Sequence, residues 1–195
     1  GWIYIRGEYA MARDITNRAI KQAEEMNLLG DDIMGSGFSF HVHVHAGAGA
    51  YVCGEETALL ESLEGKRGAP RIRPPYPTVS GFRGQPTVVN NVETLANVPP
   101  IILNGAEWFR SIGTQRSPGT KVYTMLGDVN VTGLVEAPMG TTLREIVDIY
   151  GGGMRDGKAF KCAQTGGSSG TIIPVDFLDV PMDFASMREK GAGLG

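Results

Sequence analysis

Two adjacent carboxylates follow a glycine-containing turn in the first half of the chain, in the segment Gly49-Ala-Tyr-Val-Cys-Gly54-Glu55-Glu56-Thr57. A phosphate-binding P-loop would have Lys and Ser or Thr after its second glycine, whereas carboxylates repel phosphate. The third glycine of a dinucleotide fingerprint is also absent. Ionised carboxylates at a helix start accept hydrogen bonds, so they can bind ligand hydroxyls, such as a ribose diol or a ribityl chain, or cap the helix. The spacing alone favours capping.

A pair of amides forms a second candidate group, in the segment Asn90-Asn91-Val-Glu-Thr94. Amides before a helix can cap it, and the helix start can also offer N–H groups to a phosphate. Capping is again the simpler interpretation. Arg71 and Arg73 could hold a nucleotide phosphate, or they could lie in a solvated loop.

Three histidines, His41, His43 and His45, alternate along a predicted strand. Alternate strand residues are about 6.6 Å apart, so at most two of them could converge on a metal ion. A polar strand face is therefore favoured over a metal site. Cys53 and Cys162 have no CxxC spacing, which excludes a self-contained four-cysteine cluster. We expect both cysteines to be buried.

The composition argues against two classes of protein, nucleic-acid-binding and membrane-spanning proteins. A net charge of −3 argues against nucleic acid as the main partner, because phosphate binding needs a surplus of Lys and Arg. No stretch approaches 18 consecutive apolar residues, so no segment is predicted to span a membrane. The 195 residues are enough for one large domain or two small ones.

The first half of the chain has the strand–turn–helix layout of an α/β nucleotide-binding domain, in which ligands gather at the carboxyl ends of strands. The predicted elements are strand 3–5, helix 8–27 with Gly30 as its stop, strand 38–45 and helix 55–63. Residues 65–89 contain five prolines and are predicted to form an ordered, irregular loop. A helix over 89–102, broken by Pro99-Pro100, and a short helix over 106–112 follow.

The second half has the pattern of a small α+β roll of β-grasp type. Strands are predicted over 121–126, 133–136 and 159–164. Thr142 and Glu145 form a capping box before a helix. The change of composition over 113–119 predicts a domain boundary there.

Two long runs carry a specific resemblance: GAGAYVCGEETALLESLEGKRGAPRIRPPYP (47–77) and GQPTVVNNVETLANVP (84–99). They closely resemble the FMN- and NADH-binding flavoprotein subunit of complex I, which recurs in NAD(P)-linked and electron-bifurcating hydrogenases. Residues 122–153 look like the β-grasp insert of that subunit. The resemblance implies an α/β fold: the C-terminal part of a Rossmann-like FMN-binding domain over 1–115, a β-grasp domain over 116–178, and a connection over 179–195.

The resemblance also implies a set of cofactor-binding residues and no catalytic side chain. Glu55 and Glu56 would line the flavin and nicotinamide nucleotide site, and Glu56 would disfavour NADPH. An aromatic residue at position 76 would stack on adenine, with a basic residue beside it. The amides and Thr94 would contact the ribityl-phosphate arm. The full implied set is Tyr51, Gly54, Glu55, Glu56, Arg73, Tyr76, Asn90, Asn91 and Thr94.

The expected function is electron transfer from NADH through FMN to iron–sulfur clusters in a multisubunit NADH dehydrogenase or hydrogenase. The expected partners are NADH and other subunits, notably a thioredoxin-like 2Fe–2S subunit, on the cytoplasmic side of any membrane complex. Residues 161–174 favour the hydrogenase branch. The alternative is a non-catalytic β-grasp module for subunit docking or soluble-ligand binding.

The family's glycine-rich flavin loop and its four-cysteine 4Fe–4S motif do not occur in this sequence. We therefore expect an internal fragment that binds FMN weakly or not at all and holds no tetranuclear cluster.

Overall fold

The computed structural model describes residues 1–194. The chain divides into two compact units, Gly1–Asn91 and Val92–Gly195. The domain boundaries predicted at 115 and 178 concern the family's domains and stay a prediction.

The first unit is organised around a pair of parallel strands, β1 (Trp2–Ile5) and β2 (His43–Ala46). Parallel strands need a crossover connection, and helix α1 (Ala10–Glu25) lies in it. The register places Trp2 beside His43 and Tyr4 beside His45. The ring centroids of these two pairs are 4.9 and 5.4 Å apart. Both histidines therefore pack on aromatic rings of the neighbouring strand.

The third histidine, His41, lies outside the strand, with its Nε2 3.1 Å from Asp31 Oδ1. Within residues 1–194, no group of three or more His, Cys, Asp or Glu side chains is arranged to hold a metal ion.

The predicted strand over 38–45 is wrong in its first part. Phe38 and Phe40 are exposed, and only residues from His43 onward pair with β1. Residue alternation predicts which side chains share a face, but it does not show where a partner strand ends.

Helix α1 ends at Glu25, two residues before the predicted end at 27, and the left-handed residue that follows it is Asn27 rather than the predicted stop, Gly30. Asn27 has a φ of 55°, and the Leu28 N–H donates to the Ala23 carbonyl at 2.8 Å, as at other left-handed helix ends. The apolar side chains Ile15 and Met26, in α1 and just after it, are 47% and 66% exposed.

Helix α2 (Glu56–Leu63) follows a 3₁₀ turn over Tyr51–Gly54. Its side chains Thr57, Ala58 and Leu60 are buried and form the core of this region. The long loop after it contains a single short 3₁₀ turn, Phe82–Gly84, so the predicted irregular loop is confirmed.

The second unit starts with helices α3 (Val92–Asn104) and α4 (Ala106–Arg110). The predicted break at Pro99-Pro100 is wrong, because α3 continues through both prolines. Strands β3 (Thr120–Met125) and β4 (Gly133–Pro138) then form an antiparallel hairpin. Helix α5 (Leu143–Glu145) continues as a π-helical segment, Ile146–Tyr150. The remaining elements are β5 (Cys162–Gln164), β6 (Ile172–Pro174) and α6 (Phe184–Glu189).

The core of the second unit is formed by side chains of the hairpin, of the helical segment 143–150, and of β6 and α6 with the residues around them. Its largest members include Met125, Ile146, Ile173 and Met187, all buried. The capping box is confirmed, since the Thr142 hydroxyl and the Glu145 carboxylate each satisfy the other's backbone N–H.

Strand β5 is shorter than predicted, and its antiparallel partner β6 was not predicted from the sequence. Cys53 is buried as expected, but Cys162 is exposed. The expectation for Cys162 is wrong because the alternation of β5 turns Ala163, rather than its neighbours, towards the core.

Candidate nucleotide site

Glu55 caps the start of α2. Its backbone is extended, with φ −76° and ψ 130°, and its Oε2 accepts hydrogen bonds from the N–H groups of Thr57 (3.0 Å) and Ala58 (2.9 Å). Two of the N–H groups that a helix start leaves without partners are satisfied in this way. The capping interpretation of this carboxylate is therefore confirmed.

The second carboxylate oxygen of Glu55 points to a different set of neighbours. Arg73 Nη2 lies 3.8 Å from Glu55 Oε1, beyond hydrogen-bond distance, and Arg73 Nη1 lies 2.7 Å from Glu56 Oε1. The side chains of Arg73, Glu55 and Glu56 are 42%, 31% and 36% exposed. The structure thus brings three of the predicted residues together in one solvent-accessible cluster, named here the carboxylate cluster.

The local contacts keep Glu55 ionised. Partial burial raises the pKa of Glu55, but hydrogen bonds from the Thr57 hydroxyl and from the backbone of Ala58 and Thr57, with the positive charge of Arg73, more than offset it. The net effect is a pKa below the usual value. The carboxylate is therefore an acceptor at neutral pH, as hydroxyl binding requires.

Thr57 and Arg71 support the carboxylate cluster, and the sequence did not single out this role for either. The Thr57 hydroxyl donates to Glu55 Oε2 and accepts from the Arg71 N–H at 2.8 Å. Thr57 is 1% exposed. The position of Thr57 after two glutamates is visible in the sequence, but its contact with Arg71 in the loop could not be predicted from it.

The Arg71 guanidinium joins the proline-rich loop to α2. It pairs with Glu61 and Glu64, the second at 2.8 Å, and donates to the Gly81 carbonyl at 2.9 Å. Glu64 also accepts from the Arg83 N–H at 2.7 Å, so both arms of the loop are attached to this carboxylate. Arg71 is therefore a structural ion-pair residue, whereas Arg73 faces solvent.

The two tyrosines of the predicted set are exposed. Tyr51 and Tyr76 are 67% and 56% exposed. A Cβ built on Gly54 would have no atom within 4 Å, so packing inside the chain does not require glycine there. Asn90 and Asn91 are exposed at the end of the first unit, and Thr94 is exposed in the first turn of α3 in the second unit.

The chemistry of these side chains fits flavin mononucleotide and a nicotinamide nucleotide. The carboxylate cluster supplies acceptors for hydroxyl groups, the tyrosines offer exposed aromatic surface, and the asparagines offer amide donors.

A sequence model described as the Nuo51 FMN-binding domain matches residues 1–100, just over half of the chain. The chain belongs to this family. A second model, the SLBB domain, matches residues 122–176. The resemblance inferred from the two long motifs is thereby confirmed, and so is the fold class, an FMN-binding domain followed by a β-grasp domain.

Curated relatives of this Nuo51 family chain match it from end to end. It is 54% identical to the HndC subunit of an NADP-reducing hydrogenase from Solidesulfovibrio fructosivorans, over 100% of this chain and 40% of the relative. It is 52% identical to a subunit of the NADH-quinone oxidoreductase of Escherichia coli (strain K12), over 100% of this chain and 44% of the relative. The chain thus spans less than half the length of these relatives.

A solved structure of an NAD+-reducing [NiFe]-hydrogenase in the H2-reduced state has a TM-score of 0.78 to this chain at 40% identity. The match covers 94% of this chain and 30% of the hydrogenase chain. Among residues 1–194, no helix is long and apolar enough to cross a membrane.

Proposed function

We propose that this chain is the nucleotide-recognising part of an NADH-oxidising flavoprotein subunit that passes electrons from NADH through FMN to iron–sulfur clusters. The observation that carries the proposal is the carboxylate cluster, which lies inside the region matched by the FMN-binding family. Subunits of NADH dehydrogenases and NAD(P)-linked hydrogenases among the relatives support the same conclusion.

Each predicted residue has a binding role in this proposal. Glu55 and Glu56 accept hydrogen bonds from ribityl or ribose hydroxyls, and Tyr76 stacks on the adenine. Asn90, Asn91 and Thr94 bind the ribityl-phosphate arm. A bound FMN would supply hydride acceptance from NADH and one-electron release, chemistry that the binding residues named here do not supply themselves.

The carboxylate cluster also has a role in selectivity between NADH and NADPH. Glu56 repels the additional 2′-phosphate of NADPH, and Arg73 moderates this repulsion because it lies 2.7 Å from the same carboxylate. Selectivity therefore depends on the balance of these two side chains.

The partners follow from the electron path. We propose that the complete subunit holds a 4Fe–4S cluster outside this chain and docks on a thioredoxin-like 2Fe–2S subunit. In a membrane complex this flavoprotein belongs to the peripheral arm on the cytoplasmic side.

A second candidate function rests on the β-grasp unit. A cavity of about 790 Å3 opens there, lined by apolar side chains such as Met125, Ile146 and Phe160 and by charged ones such as Lys121 and Lys158. Its volume suits a small ligand, so a soluble-ligand-binding or docking module is the alternative function.

The test uses the full-length protein. We expect purified protein to contain FMN and to reduce ferricyanide with NADH. Glu55→Gln should raise the KM for NADH, because an amide accepts hydroxyl hydrogen bonds more weakly than a carboxylate. Glu25→Gln is the matched control, since Glu25 is 63% exposed at the end of α1. Full-length protein that contains no flavin and oxidises no NADH would refute the proposal and leave the β-grasp alternative.

A further inference from the structure

Thr57 lies at the centre of the contacts that hold Glu55. Its hydroxyl accepts a hydrogen bond from the Arg71 N–H at 2.8 Å and donates to Glu55 Oε2. A hydroxyl has a single proton to donate, so the bond accepted from Arg71 directs that proton towards the carboxylate. Thr57 is 1% exposed, so its hydroxyl is shielded from solvent.

The two oxygens of the Glu55 carboxylate have different surroundings. Oε2 accepts from three donors: two backbone N–H groups and the Thr57 hydroxyl. Oε1 faces Arg73 Nη2 at 3.8 Å, which is beyond hydrogen-bond distance. The first oxygen is therefore committed to the helix, and the second is the one that can accept from a ligand.

We propose that Thr57 is a positioning residue for nucleotide binding: together with the Arg71 N–H it fixes Glu55 so that Oε1 is presented to a ligand hydroxyl. The inference rests on the proposed function, because it takes Glu55 as a nucleotide-binding residue. Thr57 itself touches no ligand in this arrangement.

The Arg71 N–H is a rigid reference point for this arrangement. The guanidinium of the same residue donates to Glu64 at 2.8 Å and to the Gly81 carbonyl at 2.9 Å, so the backbone of the loop is held against α2. An oriented carboxylate loses little conformational freedom when a ligand binds, which favours affinity.

The experiment measures NADH oxidation by the flavin-loaded, full-length protein with Thr57→Val. Valine keeps the shape of the side chain but removes the hydroxyl. We expect the KM for NADH to rise roughly tenfold, as for the loss of one hydrogen bond to a charged group, with kcat changed less than about twofold. The acid limb of kcat/KM should move to higher pH, because the carboxylate loses a hydrogen bond that lowers its pKa.

Two further variants separate positioning from folding. Thr57→Ser retains the hydroxyl and should keep the wild-type KM and pH profile. Thr16→Val is the matched control, since it removes a hydroxyl that bonds to the Ala12 carbonyl in the exposed part of α1, and it should change neither. If Thr57→Val does not fold, Thr57→Cys retains a weak donor of similar size, and its KM should rise in the same direction.

The outcomes distinguish this inference from the proposed function. If Glu55→Gln raises the KM for NADH but a folded Thr57→Val or Thr57→Cys protein keeps the wild-type KM and pH profile, the positioning role is overturned and the proposed function stands. A loss of thermal stability alone, with unchanged kinetics, also overturns it. If Glu55→Gln leaves the KM unchanged, the binding role of Glu55 itself fails.

Discussion

Replacement of Glu64 by glutamine tests how the proline-rich loop is attached to α2. The Glu64 side chain is 9% exposed and accepts from Arg71 Nη2 and Lys66 Nζ, both at 2.8 Å, and from the Arg83 N–H at 2.7 Å. Glutamine keeps the volume and one acceptor oxygen but removes the charge. The variant therefore isolates the electrostatic part of the attachment.

The magnitude follows from the pKa of Glu64. The hydrogen bond from Lys66 lowers this pKa most, and the hydrogen bond from the Arg83 backbone lowers it next. Burial raises the pKa, while Arg71 lowers it further. Together these effects lower the pKa of Glu64 from 4.5 to about 2. This difference corresponds to roughly 3 kcal/mol of unfolding free energy. Lys66 is 60% exposed, so solvent screens the largest contribution. We expect Glu64→Gln to cost about 1–2 kcal/mol at pH 7.

The sign of the pH dependence follows from the lowered pKa. The stabilisation is fully present above the unfolded-state pKa of about 4.5 and is lost as the pH falls towards about 2. The difference between wild type and Glu64→Gln should therefore shrink to less than about half between pH 7 and pH 3. Wild type at low pH should resemble the variant.

Urea unfolding at pH 7 and pH 3, followed by circular dichroism, measures this difference. Glu25→Gln is the control, because Glu25 lies 3.9 Å from Lys21 on an exposed helix and should change the free energy by less than about 0.5 kcal/mol. A Glu64→Gln loss of equal size at both pH values would refute the reasoning, because it would show that the charge of Glu64 contributes nothing.

Three further predictions concern single side chains. Glu56→Gln in the full-length protein should raise kcat/KM for NADPH relative to NADH by roughly tenfold, since an amide does not repel a 2′-phosphate, and an unchanged ratio in steady-state kinetics would contradict this. Gly68→Ala should cost about 1–3 kcal/mol in urea unfolding because its Cβ would lie 2.5 Å from Cys53 Sγ, and adding Cys53→Ala should recover most of the loss. Tyr123→Phe should leave the second unit at least as stable, because the buried Tyr123 hydroxyl has no hydrogen-bond partner within residues 1–194. Burial, and to a smaller extent the charge of Glu93, raises the pKa of Tyr123 to about 12. In unfolding experiments between about pH 10 and pH 12, the wild type should therefore lose the stability that the protonated tyrosine contributes, whereas Tyr123→Phe should not.

The sequence predicts those features that depend on neighbouring residues. The capping box of Thr142 and Glu145 is confirmed because both partners lie in one helical turn. The hairpin of β3 and β4 is likewise local. The predicted strand over 38–45 is wrong only in its first part, because alternation shows which side chains share a face but not which residues pair with β1, about forty residues away in the chain.

In the candidate site, too, some residues could be predicted from the sequence and others could not. The resemblance identified Glu55, Glu56 and Arg73 as one set of binding residues, and the structure joins them in the carboxylate cluster. The support from Thr57 and Arg71 was not predicted, because the two residues lie fourteen positions apart, separated by the rest of α2 and the start of the loop. From the sequence, Arg71 and Arg73 have the same two interpretations, a phosphate ligand or a solvated residue. Only the folded loop shows that Arg71 packs against α2 while Arg73 faces solvent.

Capping and ligand binding are compatible roles for Glu55 because a carboxylate has two oxygens. The cap uses Oε2, and the same hydrogen bonds that stabilise α2 hold Oε1 in one orientation. Glu56 differs, since its contact in the cluster is with Arg73, whose side chain is 42% exposed and can move. A ligand hydroxyl that binds Glu55 therefore meets a fixed acceptor, whereas one that binds Glu56 must compete with an ion pair. Under the proposed function, we therefore expect Glu55 to contribute mainly to affinity for any nucleotide, and Glu56 to the choice between nucleotides of different charge.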